Sequence, residues 1–179
     1  VIVSGLSASN YLASLGIHLS NLFVIPQAIE WNTINLKKEE NKISETFTIS
    51  MVASLEKRKN IRWGIEQLDS LARERDEPII LRIAGDYQLD LIQNISSKLE
   101  IQLLGYQDEA QMQSLYANSH FLFFPTLEDE WGLVVNESMS MGCPVIGSIG
   151  PEAVNEIIRT GVSGFVFDPK SNEIKEVLN

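Results

Sequence analysis

The chain has 179 residues, 44% of them hydrophobic and 21% charged, which is the composition of an ordinary globular protein. Its formal net charge of −10 argues against a dedicated nucleic-acid-binding protein, because such proteins usually carry a basic face. No apolar run approaches the roughly 20 residues that a membrane span needs. The single Cys143 excludes an intramolecular disulfide and suits the reducing cytoplasm.

The predicted elements of the N-terminal part are short. A strand is expected at residues 1–3, a helix at residues 7–15 that ends at Gly16, and a second strand at residues 22–25 that ends at Pro26. Residues 31–46 then turn polar, with a run of charged side chains at their centre. This composition predicts an exposed loop or linker.

From residue 47 onward, strand and helix patterns alternate. Strands are predicted at residues 47–53, 79–84, 101–104, 120–124, 145–146 and 164–167. The inward positions of the helices between them are Ile61, Gly64, Ile65, Leu68 and Ala72, then Leu89 and Ile92, then Met112, Leu115 and Tyr116, and finally Val154, Ile157 and Ile158. Asp108 and Gln111 have capping-box spacing, and Pro151 opens the last helix. The alternation predicts an α/β fold, a Rossmann-like parallel sheet with helices on both faces.

Ligands of such sheets bind beyond the carboxyl ends of the strands, so the residues that follow each strand are candidates for a site. They are Ser54, Gly85, Asp86, Gly105, Tyr106, residues 126–131 and Gly147. Lys57, Arg58 and Lys59 crowd the start of a helix, where the helix dipole disfavours cations. A bound anion would explain them, and a solvated charge run at the surface is the alternative.

Residues 126–144 follow the apolar strand at 120–124 and turn helical from about residue 131 to 141. Helical geometry places Leu133, Val134 and Met141 on one apolar stripe with Glu137 between them. Burying an unpaired carboxylate costs several kcal/mol, so Glu137 should have hydrogen-bond donors from the protein or from a ligand. The helix start at Gly132 favours an anion, because its backbone N–H groups lack intrahelical partners.

The remaining candidates for metal or nucleophilic chemistry carry weaker signals. Glu128, Asp129 and Glu130 fit a solvated acidic loop better than a metal site, since Mg²⁺ needs oxygen ligands from several directions. His18 and His120 lack metal-ligand spacing. Cys143 beside a predicted strand is typical of a packed thiol. No metal or other cofactor is expected.

Residues 128–145, EDEWGLVVNESMSMGCPV, resemble the signature of the group 1 retaining glycosyltransferases, family 4, which have the two-domain GT-B fold. In that family an acid, an aromatic-Gly-Leu turn and a second acid eight residues after the first bind the nucleotide-sugar donor. Matched on Gly132 and Leu133, the two acids are Asp129 and Glu137. The resemblance extends over nearly the whole chain, including residues 24–30 and the segment from Ser54 to Asn60.

The resemblance implies a role for each matched residue. Glu137 would accept hydrogen bonds from the ribose, the N–H groups of Leu133 and Val134 would bind the diphosphate, and Lys59 would neutralise it. Asp129 would contact the transferred sugar. The implied catalytic residues are Asp129 and Lys59, and the donor-binding residues are Ser54, Arg58, Gly85, Tyr106, Trp131, Gly132, Leu133, Val134 and Glu137.

Three positions depart from the family pattern. Asp129 stands where Glu is usual, and Ser54 stands where an Arg normally meets the pyrophosphate. Gln27 and Ala28 replace the usual Asn-Gly. The change at position 54 makes the neighbouring cation Arg58 the candidate to compensate.

The length suits one α/β core and part of another domain. By resemblance, residues 1–28 are expected to be the tail of an N-terminal acceptor domain with the crossover, and residues 29–179 a donor domain truncated at its C-terminus. The expected function is transfer of a sugar, with retention, from a nucleoside-diphosphate sugar to a glycan or lipid-linked acceptor. The full-length protein is expected to be cytoplasmic, and any contact with the inner face of the membrane would be made through the missing part. A GT-B sugar-nucleotide epimerase and a non-catalytic nucleotide-sugar-binding module are the alternatives.

Overall fold

The structure is a computed structural model that describes residues 1–31, 46–54, 56–86, 93–171 and 173–178. Nearly all of the predicted polar linker at 31–46 and the predicted helix with Leu89 and Ile92 lie outside the described residues.

The N-terminal segment contains a separate two-stranded sheet, and the start of its helix is hydrogen-bonded to Glu152 and Glu156 of the main body. It consists of strand β1 (Ile2–Val3), helix α1 (Leu6–Ser14) and strand β2 (Phe23–Val24), and the two strands pair in parallel. Gly16 follows α1 with a φ of 93°, a left-handed conformation that glycine adopts without a steric penalty. The predicted strands and helix of this segment are confirmed.

The main body is a six-stranded parallel sheet. Its elements are β3 (Phe47–Ala53), α2 (Ile61–Glu74), β4 (Ile79–Gly85), β5 (Leu99–Gly105), α3 (Glu109–Ala117), β6 (Phe121–Phe124), α4 (Leu133–Ser140), β7 (Val145–Ser148), α5 (Glu152–Ile157), β8 (Gly164–Phe167) and α6 (Glu173–Leu178). The strand order is β5-β4-β3-β6-β7-β8. The predicted α/β class and parallel sheet are confirmed, whereas α6 was not predicted.

Helices cover both faces of the sheet, as the alternation of side chains along β6 shows. Phe121 and Phe123 pack into one apolar cluster with residues of α2 and α6. Leu122 and Phe124 point the other way, into a second cluster with residues of α3, α4 and α5. A strand buried on both faces explains why residues 121–124 are all apolar.

The local signals for the helices agree with the structure in most places. The five inward positions predicted for α2 are all buried. Asp108 accepts a hydrogen bond from the Gln111 backbone, and the Gln111 side chain accepts one from the Asp108 backbone, so the capping box that begins α3 is present.

The predicted apolar stripe of α4 is wrong at Leu133, which is 41% exposed. The buried positions of this helix are Val135 and Ser138. Ser138 tolerates burial because its hydroxyl donates to the Cys143 carbonyl oxygen at 3.0 Å. The helix also begins two residues later than predicted, because Gly132 adopts a left-handed conformation before it.

The strand order places a candidate site near the middle of the sheet. The chain runs outward from β3 through β4 to β5 and then returns to the other side of β3 at β6. Ligands of open α/β sheets bind at such a reversal, beyond the carboxyl ends of the two diverging strands. The segments that follow β3 and β6 meet here, where the Leu127 N–H donates to the Arg58 carbonyl oxygen at 2.7 Å.

Candidate functional site

An ion pair joins the segment after β3 to the acidic loop after β6. The Lys59 Nζ lies 2.6 Å from Asp129 Oδ2, and Arg58 Nη1 lies 3.6 Å from the same oxygen. The Lys59 side chain is only 16% exposed. The two residues with predicted catalytic roles are therefore in direct contact, and Lys59 is not part of a solvated charge run.

Arg58 is fixed by partners on both segments. Its Nε and Nη2 donate to the two carboxylate oxygens of Glu56 at 2.7 and 3.1 Å, and its Nη1 donates to the Glu128 carbonyl oxygen at 3.1 Å. Ser54 donates to Glu56 at 3.1 Å. The hydrogen bonds from Arg58 and then Ser54 lower the pKa of Glu56, and the bond to Glu56 raises the pKa of Arg58. Ser54 therefore orients the acid that orients Arg58.

These side chains border an open pocket of about 550 Å³. Its lining residues are Arg58, Glu128, Asp129 and Glu130. Within the described ranges, no group of three or more His, Cys, Asp and Glu residues could hold a metal ion. The pocket thus combines one cationic side chain with three acidic residues in a space large enough for part of a small polar ligand.

The start of α4 adds backbone donors beside the acidic loop. Gly132 precedes the helix with φ 97° and ψ 62°, and no side chain among the described residues caps it. A Cβ at this position would lie 3.1 Å from a Phe124 ring atom and 3.3 Å from Pro151. The first N–H groups of a helix, here those of Leu133 and Val134, have no intrahelical acceptor and can bind an anion.

The indole of Trp131 packs inside the protein and is not available to a ligand. Only 2% of the residue is exposed, and its Nε1 donates to Asn136 Oδ1 at 2.8 Å. The Asn136 amide in turn donates to the Gln27 carbonyl oxygen at 3.2 Å. Asn136 was not among the predicted site residues, although its position within the 128–145 motif was a signal for it.

Glu137 has the hydrogen-bond donor that its position on the helix predicted. The Tyr116 hydroxyl of α3 donates to Glu137 Oε2 at 2.7 Å, so that part of the prediction is confirmed with a donor from the protein. Tyr116 was expected only to face inward and not to belong to the site. Nothing local in the sequence links two residues 21 positions apart on different helices.

Gly85 and Tyr106 lie at the same edge of the sheet, on the side of β4 and β5. Gly85 ends β4 with a φ of 101°, which a side chain rarely permits. Tyr106 directly follows β5 and is 88% exposed. Gly85 therefore lies beside the end of β3, where it pairs with Ala53, and Tyr106 lies one strand further out. Neither residue lines the pocket at Arg58 and Asp129, so the structure does not bring them together with those side chains.

Of the side chains expected to be structural, Cys143 and His120 are packed and His18 lies at the surface. Cys143 is 3% exposed, and burial raises its pKa to about 11, so it is a protonated core thiol. His120 Nδ1 accepts from the Thr48 N–H at 3.0 Å, and its ring packs against Phe47. In the described part of the chain, no helix is long and apolar enough to cross a bilayer.

Several curated proteins are similar in sequence. The chain is 24% identical over 142 residues to an uncharacterized glycosyltransferase of Methanocaldococcus jannaschii, with 77% of this chain and 36% of that protein covered. It is 28% identical over 124 residues to O-antigen chain mannosyltransferase B of Escherichia coli, with coverages of 66% and 32%. The chain therefore spans about a third of the length of these relatives.

Solved structures show the same fold. HepE of Anabaena in complex with UDP and glucose superposes with a TM-score of 0.71 at 17% identity, over all of this chain and 52% of that one. A glycosyltransferase of Rickettsia africae gives 0.76 at 21% identity, over 98% and 50%. The parallel sheet is the Rossmann-like domain of a GT-B fold. The family model for glycosyl transferases group 1 matches residues 32–179, most of the chain, and this chain therefore belongs to that family.

Proposed function

We propose that this chain is the nucleotide-sugar-binding part of a glycosyltransferase that transfers a sugar, with retention, from a nucleoside-diphosphate sugar to a glycan or lipid-linked acceptor. The observation that carries the proposal is the Lys59–Asp129 ion pair beside the uncapped start of α4. Beside one open pocket lie a cation, an acid and two backbone amides that have no acceptor among the described residues. Together they can contact the diphosphate and the sugar of such a donor.

The charges of the site suit the loss of a nucleoside diphosphate. Negative charge develops on the departing phosphate oxygens, and fixed donors there lower the barrier. Lys59 and the N–H groups of Leu133 and Val134 are such donors. A bound diphosphate would replace Asp129 as the partner of Lys59, which leaves the Asp129 carboxylate for the hydroxyls of the sugar.

The solved neighbours support this class of ligand. HepE of Anabaena was solved with UDP-glucose, and the pneumococcal O-GlcNAc transferase GtfA was solved with UDP and GlcNAc. The chain covers 52% and 35% of those proteins. The epimerase alternative is not favoured, because the relatives compared above are named as glycosyltransferases.

The proposal includes a division of the chain at residue 28. Residues 1–28 would belong to an acceptor domain and the crossover, and residues 29–179 to the donor domain. One hydrogen bond joins the crossover to α4, from the Asn136 amide to the Gln27 carbonyl oxygen at 3.2 Å. Trp31, just after the division, also contacts α4, because its Nε1 donates to Ser140 Oγ at 2.8 Å. This attachment would place the crossover beside the donor pocket.

Calorimetric titration of the chain with UDP, GDP and ADP tests the proposal. We expect one of them to bind with the same affinity in the presence and absence of a chelator, because the site supplies its own cation. Glu137→Gln should weaken that binding by about ten- to a hundredfold, since a hydrogen bond to a charged group contributes roughly 1.5 to 3 kcal/mol. Glu66→Gln, which changes an exposed acid on α2, is the matched control. Absence of binding, or a strict need for Mg²⁺, would contradict the proposal.

A further inference from the structure

Tyr116 is a buried phenol whose hydroxyl reaches toward the proposed donor site. The residue is fully buried in α3 and belongs to the apolar cluster between the sheet and helices α3, α4 and α5. Its ring packs among apolar side chains, and its hydroxyl donates to Glu137 Oε2 at 2.7 Å. Tight packing around the buried ring restricts its rotamers, so the hydroxyl is held in place as a donor to this carboxylate.

The partner of this bond is a side chain that would otherwise move. A glutamate has three rotatable side-chain bonds, and their freedom is lost when the carboxylate binds a ligand. Glu137 is half-buried, and the hydrogen bond from Tyr116 restricts its carboxylate before any ligand arrives. Among the described residues, none donates a hydrogen bond to the other oxygen, Oε1. That oxygen can accept hydrogen bonds from a ligand.

The position of Glu137 on α4 suits such a contact. It lies four residues after Leu133, so the two side chains are on the same side of the helix, one turn apart. Leu133 is 41% exposed and begins the helix beside Gly132. Glu137 thus lies about one helical turn from the backbone donors that are proposed to bind the diphosphate. In a nucleoside diphosphate, the ribose is separated from the phosphates by a similarly short distance.

We propose that Tyr116 is a positioning residue that sets the preference for a ribose: its hydroxyl fixes the Glu137 carboxylate so that Oε1 accepts hydrogen bonds from the ribose hydroxyls of the donor. This inference rests on the proposed function, because it needs a nucleoside diphosphate in the site. Burial, and then the negative charge of Glu137, raises the pKa of the Tyr116 phenol. The phenol therefore stays protonated and keeps donating at neutral and mildly alkaline pH.

The test compares two ligands that differ only in the ribose hydroxyls. The tightest-binding diphosphate among UDP, GDP and ADP is titrated against its 2′,3′-dideoxy counterpart. Their affinity ratio measures recognition of the hydroxyls. We expect Tyr116→Phe to lower this ratio roughly three- to tenfold, the effect of one hydrogen bond, while binding of the dideoxy ligand changes little. A purely structural role would weaken both ligands equally and leave the ratio unchanged.

Two further variants complete the experiment. Tyr11→Phe removes an exposed phenol hydroxyl on α1 and should leave the ratio unchanged. In the Glu137→Gln background, Tyr116→Phe should have no further effect on the affinity ratio. If Tyr116→Phe alone unfolds the protein because it leaves the Glu137 carboxylate unpaired, the comparison of Glu137→Gln with the double variant remains informative. An unchanged ratio in Tyr116→Phe, or an equal loss in both backgrounds, would overturn the positioning role alone. A parent protein that does not distinguish the two ligands would instead contradict the proposed ribose contact of Glu137.

Discussion

At the scale of single residues, the site is organised by charges that neutralise one another. Asp129 pairs with Lys59, and Glu56 pairs with Arg58. The two pairs differ in exposure, since the Lys59 side chain is 16% exposed and that of Arg58 is 39% exposed. Solvent screens the more exposed pair more strongly, so the two cations should contribute unequally to ligand binding.

The first prediction concerns these two cations. Lys59→Ala should weaken nucleoside diphosphate binding by about ten- to a hundredfold, because the variant lacks a positive charge that lies near the phosphates and is little screened by solvent. Arg58→Ala should weaken this binding less, since the Arg58 guanidinium is already hydrogen-bonded to Glu56. Calorimetry on the two variants measures the difference. A larger loss in Arg58→Ala would assign the phosphate contact to Arg58 instead.

The second prediction concerns Asp129, the acid that pairs with Lys59. Asp129→Asn removes a negative charge 2.6 Å from Lys59 Nζ, so a diphosphate no longer competes with a carboxylate for the lysine. Binding of the nucleoside diphosphate without a sugar should become roughly two- to fivefold tighter. In the same variant, the increase in affinity from the bare nucleoside diphosphate to the nucleoside-diphosphate sugar should become smaller. Weaker binding of the bare diphosphate would show that Asp129 does not compete for Lys59.

At the scale of elements, α4 depends on the glycine at its start. Gly132 has a left-handed φ of 97°, and its neighbours Phe124 and Pro151 leave little space for a side chain. This conformation sets the direction in which the first turn of the helix leaves the acidic loop. At the other end of α4, Gly142 also has a positive φ, 75°, but a Cβ added there would meet no atom within 4 Å.

The third prediction uses this pair of glycines. Gly132→Ala and Gly142→Ala should each lower the free energy of unfolding by about 1 to 2 kcal/mol, the cost of a left-handed alanine. Only Gly132→Ala should also weaken diphosphate binding, because the added methyl displaces the turn that presents the amides of Leu133 and Val134. Denaturant unfolding and calorimetry separate the two effects. Equal binding by both variants would argue against a backbone contact at this turn.

At the scale of the whole molecule, the proposal that this chain holds only the donor half of a two-domain site, a half-site, has a consequence for activity. The fourth prediction is that the 179-residue chain binds its donor but transfers no sugar. A pocket without an acceptor domain cannot orient the acceptor, an effect that can reach about 7 to 11 kcal/mol. Slow hydrolysis of the donor is the most that we expect.

The matching experiment joins the chain to an acceptor domain of the kind that the proposal requires and measures transfer in both forms. Transfer should appear only in the longer form, and donor binding should be similar in the two. Sugar transfer by the 179-residue chain alone would contradict the half-site proposal.

The sequence by itself determined the elements and the motif, because both are local. The alternation of apolar and polar side chains reports which residues face a core, and it predicted the six strands of the sheet and the inward face of α2. The capping box at Asp108 and the acid-Trp-Gly-Leu-acid pattern around Gly132 are likewise contained in short segments. The wrong placement of Leu133 and the unpredicted α6 show the limit, since a short amphipathic helix leaves several rotations possible.

Only the tertiary structure decided which of these segments meet. Lys59 and Asp129 are 70 residues apart and are joined because β3 and β6 become neighbours in the sheet. Tyr116 and Glu137 meet because α3 and α4 pack on the same face of the sheet. Strand order and helix packing are set by the burial of apolar surface over the whole domain, which no short pattern encodes. The sequence therefore identified the acids of the site, and the fold supplied their partners.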